Sequence, residues 1–298
     1  MPTICELPPN GAALLYGEFA APAADPYNPE LYGDRYVTVD CADGEQRTLQ
    51  LISYFDDDPV HEPMTNRIRQ GLRTKFIEDG LLKTTAELDD AVGPNVEFFA
   101  LVDPETGEPV ASLRKIYAPV DEPWRLPSYK KFAELHAFDP AALAEFEAAA
   151  AGRQVVEIGR LWKNDNYGSR AKIALYRAAL QESFVADQLW FMGMVPGEYM
   201  GIKKLYGDEI VRTIGQPIPV EEEDAVETVR LRPVWMDPRT FYISLLDQSD
   251  TAARRGDEKV SFFRMGAFWD FMRGLNVCDL DRLTQERLER FMEHDLVG

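Results

Sequence analysis

Hydrophobic positions recur along this chain with two periods, near 3.6 and near 2, and the switches between them set out the elements. From residue 63 to 82 apolar side chains return every three or four positions (Met64, Ile68, Leu72, Phe76, Leu81), which predicts an amphipathic helix. Residues 97–102, Glu-Phe-Phe-Ala-Leu-Val, predict a strand. Asp103-Pro104-Glu105-Thr106-Gly107-Glu108 is turn chemistry, and residues 109–117 predict the returning strand of a hairpin, with Arg114 inside an apolar run. Residues 35–39 and 47–52 flank Ala42-Asp43-Gly44, a second hairpin signal. Residues 140–151 predict an Ala-rich helix. The tail carries two helical stripes, one with Phe263, Phe268 and Phe271, the other with Leu283, Leu288 and Phe291. They read as core packing, or as the lining of an apolar pocket or a dimer seam.

The most unusual pattern is residues 155–163, Val-Val-Glu-Ile-Gly-Arg-Leu-Trp-Lys. It reads as a covered strand with a carboxylate and a guanidinium in its middle, which is costly unless each charge has a partner. Strict alternation puts Glu157 and Arg160 on opposite faces. They meet in one site only if a bulge re-aims one of them, and Gly159 lies between them, where a bulge is easy. Two readings stand from this strand alone: a functional pair, or a structural ion pair on a strand with one wet face.

Next come Asn164-Asp165-Asn166-Tyr167-Gly168, a turn, and Ser169, which can cap a helix running to about residue 186. Residues 188–195 predict another covered strand, broken by Pro196-Gly197. Strand, polar Gly loop, helix and parallel strand make a βαβ unit, whose helix start offers N–H groups to a phosphate. The loop is neither a P-loop nor a dinucleotide fingerprint, and most such turns are only turns.

The 298-residue chain is 45% hydrophobic, enough for one large domain with additions. Three scattered cysteines (Cys5, Cys41, Cys278) imply a reducing compartment and set up no nucleophile beside a histidine. Three histidines (His61, His136, His294) show no metal spacing, and Asp56-Asp57-Asp58 reads as an acidic turn, so no metal site is expected. No signal peptide or membrane span is evident, which makes the cytoplasm the expected compartment. A net charge of −19 opposes nucleic-acid binding and also opposes an acidic protein partner. The charge is uneven. Residues 1–60 carry eleven acids and two bases, whereas residues 153–177 carry six bases and two acids. That basic stretch is either a docking patch or a solvated helix face.

In their order, Leu72-Arg73 to Phe76, Glu87-Leu88-Asp89-Asp90, Ser112-Leu113-Arg114 and Glu157-Ile158-Gly159-Arg160 resemble the acyl-homoserine-lactone synthases and the long-chain N-acyl amino acid synthases. Both belong to the general N-acetyltransferase (GNAT) superfamily. The resemblance spans roughly residues 64–234. It implies an α/β (α+β) fold: a GNAT-like twisted, mixed, mostly antiparallel sheet with helices on both faces. It implies splaying in the middle of that sheet, where a pantetheine arm enters. The expected organisation is an N-terminal extension with a β-hairpin (1–62), a GNAT-like acyltransferase core (63–235) and a C-terminal helical extension (236–298).

Residue by residue, the resemblance makes Glu157 the catalytic carboxylate that orients or deprotonates the amine. It makes Arg114 and Arg160 binders of the acyl donor, with Gly168, Ser169 and Arg170 at its phosphopantetheine. Arg73, Phe76 and Asp90 fall at the acceptor pocket, with Arg69 as an alternative to Arg73 because the spacing to Phe76 is one residue short. No permanently bound cofactor is implied. The co-substrate is the acyl-phosphopantetheine of an acyl carrier protein, or acyl-CoA, and the partners are that carrier protein and a small amine. Residues 77–82 lack the Trp typical of lactone synthases, and Gly159 stands where Ser is usual. Both departures favour a free amino acid or similar amine over S-adenosylmethionine as acceptor.

Amide formation from a thioester removes a proton from the amine and needs a donor for the oxyanion. The expected function is therefore an N-acyltransferase. The alternatives are an acyl-homoserine-lactone (autoinducer) synthase, a non-enzymatic acyl-carrier or acyl-chain binding module, and an ordinary acetyl-CoA acetyltransferase.

Overall fold

A computed structural model describes residues 36–78, 93–168, 170–197, 199–200, 210–220 and 229–241. The strands are β1 (Tyr36–Asp40), β2 (Gln46–Phe55), β3 (Val96–Val102), β4 (Pro109–Tyr117), β5 (Val155–Lys163), β6 (Leu189–Met194), β7 (Val211–Thr213), β8 (Ile218–Val220) and β9 (Val229–Met236). The helices are α1 (Glu62–Glu78), α2 (Pro127–Glu134), α3 (Pro140–Ala150) and α4 (Arg170–Val185). The strands form one sheet in the order β1-β2-β3-β4-β5-β6-β9-β7, with β8 beside β9. Every pairing is antiparallel except β5 with β6. This is the mixed, mostly antiparallel sheet that the sequence predicts. The hairpin of β1 and β2 is continuous with it, because β2 pairs with β3 over residues 50–55 and 97–102.

Both faces of the sheet are covered, so its strands are apolar in both directions. On one face α4 lays a ladder of small side chains, Ala171, Ala174, Ala178 and Ala179, with Leu175, against Leu113, Val156 and Ile158. Alanines keep the helix close to the sheet, and each larger side chain buried there contributes about 1.5–3 kcal/mol. On the other face α1, α2 and α3 bring Ile68, Leu72, Tyr129, Phe132 and Phe146 onto Phe98, Ile116, Val155 and Phe191. Helix α2 is absent from the sequence-based expectation. It starts with Pro127 in its first turn and is too short for a period to show. The tail stripes beyond residue 241 lie outside the described residues.

Two irregularities place the site. First, β5 pairs with β6 over only three positions, Val155 to Glu157 with Leu189 to Phe191. Beyond them β5 stays with β4, and β6 follows β9. The sheet therefore parts in its middle, beginning at Glu157. Second, Ser112 pairs with Trp162 but Arg114 with Gly159, so β5 carries one residue more than β4 between these pairs. This is the expected bulge. Its left-handed residue is Arg160, at φ 52°, rather than Gly159. A non-glycine residue held there costs about 1–3 kcal/mol, which the pairs on either side must offset.

Candidate active site

Glu157 and Arg114 are buried, at 4% and 5% exposure, on the face covered by α1 and α2. Glu157 lies opposite Ile116 in the ladder and Arg114 opposite Gly159, so the two side chains sit diagonally on one face. Their closest approach, Arg114 Nη2 to Glu157 Oε1, is 3.8 Å, an ion pair beyond hydrogen-bond length. Burial first, then the Arg160 guanidinium, lower the Arg114 pKa to about 10, while Glu157 opposes the fall. The bulge brings Arg160 to the same face, where its guanidinium carbon lies 5.4 Å from the centre of the Phe76 ring on α1.

A third arginine joins them. Arg69 Nη2 donates to both oxygens of Asp56, at 2.9 and 3.1 Å, and its guanidinium lies over Phe98 at 6.0 Å. Arg69 also depresses the Arg114 pKa, and Asp56 raises it. Asp56 accepts from the Gly93 N–H as well, so its carboxylate is engaged by protein groups. Arg73 is half-buried one turn further along α1, on the stripe that continues to Phe76. Among the described residues, five charged groups (Arg69, Arg114, Arg160, Asp56 and Glu157) thus stand around one patch.

The Glu157 carboxylate is gripped by a residue that sequence reasoning missed. The Ser128 backbone N–H donates to Oε2 at 2.9 Å, and Ser128 Oγ donates to Oε1 at 2.8 Å. Ser128 is the second residue of α2, and Leu126, at the helix cap, supplies no side-chain bond. The available sequence signal was Pro127-Ser128 followed by Tyr129 and Phe132 at helical spacing.

The expected phosphate loop is tied to the first strand. The Gly168 N–H donates to the Asp40 carbonyl at 2.7 Å, and a side chain at Gly168 would meet that oxygen at 3.0 Å. Tyr167 bridges to Cys41. Ser169, the Arg170 side chain and Asp90 lie outside the described residues. Two clefts of about 480 and 470 Å³ flank residues 164–166, and neither is lined by Glu157, Arg114 or Arg160. Arg153, Arg160 and Lys163 of the basic stretch lie apart. Arg153 pairs with Asp187 and Asp237 near the start of β5, Arg160 turns to Phe76, and Lys163 lies at the strand's far end by Asp165. Among the described residues no cluster of His, Cys, Asp and Glu could hold a metal, and no helix is long and apolar enough to cross a membrane.

Solved structures of acyltransferases resemble this chain. The N-acyl amino acid synthase FeeM, from uncultured soil microbes, is 14% identical, with a TM-score of 0.43, covering 65% of this chain and 94% of its own. The CoA-dependent acyl-homoserine lactone synthase BjaI, solved with SAM and isopentyl-CoA, is 12% identical with a TM-score of 0.42, covering 71% and 92%. No family model and no curated protein sequence matches the chain.

Proposed function

We propose that this chain is an N-acyltransferase that moves an acyl group from a thioester to the amine of an amino acid or similar small acceptor. One observation carries the reading: a buried, clamped carboxylate with two guanidinium groups stands where β5 and β6 part. Parted strands leave β5 backbone groups beside an opening, and an extended pantetheine arm can pair with such groups as an added strand would. The acyl carbonyl would then lie near Glu157.

The amine nitrogen attacks the thioester carbon, the carbonyl electrons move onto oxygen, and the C–S bond breaks as they return. The sulfur leaves as a thiol, taking up the proton that the amine loses. Glu157 holds the incoming ammonium by charge; the ammonium gives one proton to water, and the free amine that results attacks while Glu157 accepts a hydrogen bond from it. Guanidinium groups beside Glu157 suit an acceptor with its own carboxylate, such as a free amino acid. The donor is the acyl-phosphopantetheine of a carrier protein or acyl-CoA. The chain's net charge of −19 works against an acidic carrier unless docking is confined to a basic part of the surface.

The test is mass spectrometry of lipid extracts from cells overproducing the chain, beside cells carrying Glu157→Gln. New acyl amides present only with the intact chain are the expected result, and their masses name both chain length and acceptor. Homoserine lactones would transfer the reading to signal synthesis. If purified protein binds acyl carrier protein yet turns over none of a panel of thioesters, the chain is a binding module.

A further inference from the structure

We propose that Ser128 is a positioning residue for this reaction, holding the Glu157 carboxylate off Arg114 and in register with the parted strands. The assignment rests on the acyltransferase reading. At 3.8 Å from Arg114 Nη2, Glu157 is about 1 Å farther than a charge-assisted hydrogen bond would draw it. In a buried setting the attraction between these charges is strong, and donors hold the carboxylate from the other side. Ser128 offers two donors at a fixed separation, one backbone and one side-chain, and each takes a different oxygen of the carboxylate. Two such bonds set the plane of the group as well as its place.

The clamp is itself anchored. Ser128 sits in the first turn of α2, between Leu126 at 1% exposure and Tyr129 at 8%. The Tyr129 ring packs on Phe138 at 4.9 Å and on Phe191 at 5.6 Å, and Phe191 is the β6 residue paired with Glu157. The same contacts that seat α2 on the sheet therefore carry Ser128 to the strand it grips. The helix start adds its own positive dipole end to the carboxylate. Pro127 has no N–H to give, which leaves Ser128 as the first donor of the helix. Each carboxylate oxygen can accept a second hydrogen bond, as an incoming amine requires.

Without the hydroxyl, one of the two bonds is lost and the carboxylate can close on Arg114. The amine then loses a correctly placed acceptor, while the thioester and the leaving thiol are unaffected. The experiment is steady-state acyl transfer at saturating thioester with the amine varied, for the wild-type chain, Ser128→Ala and Ser128→Thr, alongside their melting temperatures. Ser128→Ala is expected to raise the amine KM about tenfold with little change in kcat, and Ser128→Thr to restore it. A wild-type KM in Ser128→Ala, or a loss that Thr does not restore, overturns the assignment. Absence of transfer by the wild-type chain on every thioester tried overturns the acyltransferase reading and this assignment with it, and it shows before any variant is compared.

Discussion

Strand β4 sends one charged residue to each face of the sheet, and the two faces treat their charges differently. Lys115, fully buried, points toward α4 and meets Glu182, which also accepts from the Tyr117 hydroxyl at 2.7 Å. Tyr117 contacts Glu97 as well, and a phenol has one proton to give. The chain of contacts closes if Glu97 is protonated and donates to Tyr117, which donates to Glu182. Burial, and next the Glu182 carboxylate, push the Glu97 pKa up to about 8, against Lys115 and Tyr117. That cluster is then neutral and complete. On the other face Arg69, Arg114 and Arg160 gather with Asp56 and Glu157 beside the parting of β5 and β6. The first cluster ties α4 to the sheet, and the second, beside an opening, is the proposed site. Burial alone does not separate the two.

The largest way to break this comparison is on the structural side. Lys115→Met leaves Glu182 buried without its cation and is expected to cost about 3–5 kcal/mol of stability. Acyl transfer per folded molecule should stay the same. Denaturant unfolding with an activity assay on the folded fraction checks both halves. Next, Glu157→Gln should lower kcat/KM by about 100-fold with a smaller loss of stability than Lys115→Met, because the Glu157–Arg114 contact is longer than a hydrogen bond. A large loss of stability with unchanged transfer would exchange the roles assigned to the two faces.

A smaller effect concerns pH. The folded chain holds a proton on Glu97 up to about pH 8, whereas the unfolded chain releases it near 4.5. Within that window the unfolded state binds fewer protons, so this group makes stability fall as pH rises, and the fall ends above about pH 8. Glu97→Gln should remove that slope, on the order of 1–3 kcal/mol between pH 5 and pH 8. Denaturant titrations at the two pH values measure it. The smallest effect is Phe76→Leu, which takes the ring from beneath Arg160. A cation–π contact of about 0.5–1 kcal/mol corresponds to a two- to fivefold rise in KM, read from initial rates with each substrate varied in turn.

Much of the sheet was legible because covered strands are written in runs of β-branched and aromatic residues. The predicted strand at residues 155–163 coincides with β5, that at 109–117 with β4, and the predicted helix start near Ser169 with α4. The bulge was legible too, although its strain falls on Arg160 and not on the glycine. Ser128 was not, because an eight-residue helix holds two turns and its buried face amounts to Tyr129 and Phe132. Nor was the Glu97–Tyr117–Glu182 cluster, in which Tyr117 and Glu182 are 65 positions apart. The basic stretch left two readings open in the sequence. Its residues are neighbours in sequence, but β5 and its turn distribute Arg153, Arg160 and Lys163 to different places.

By itself the sequence determined most of the elements, α2 excepted, since period and turn chemistry are local properties of the chain. It also determined that a carboxylate and a guanidinium must be accommodated in the covered strand β5. Only the tertiary structure decided which charges meet. The parting of β5 from β6 and the approach of α2 to Glu157 depend on how the aromatic residues Tyr129, Phe132 and Phe191 pack. Packing couples residues by distance in space, and no local pattern along a chain encodes that distance.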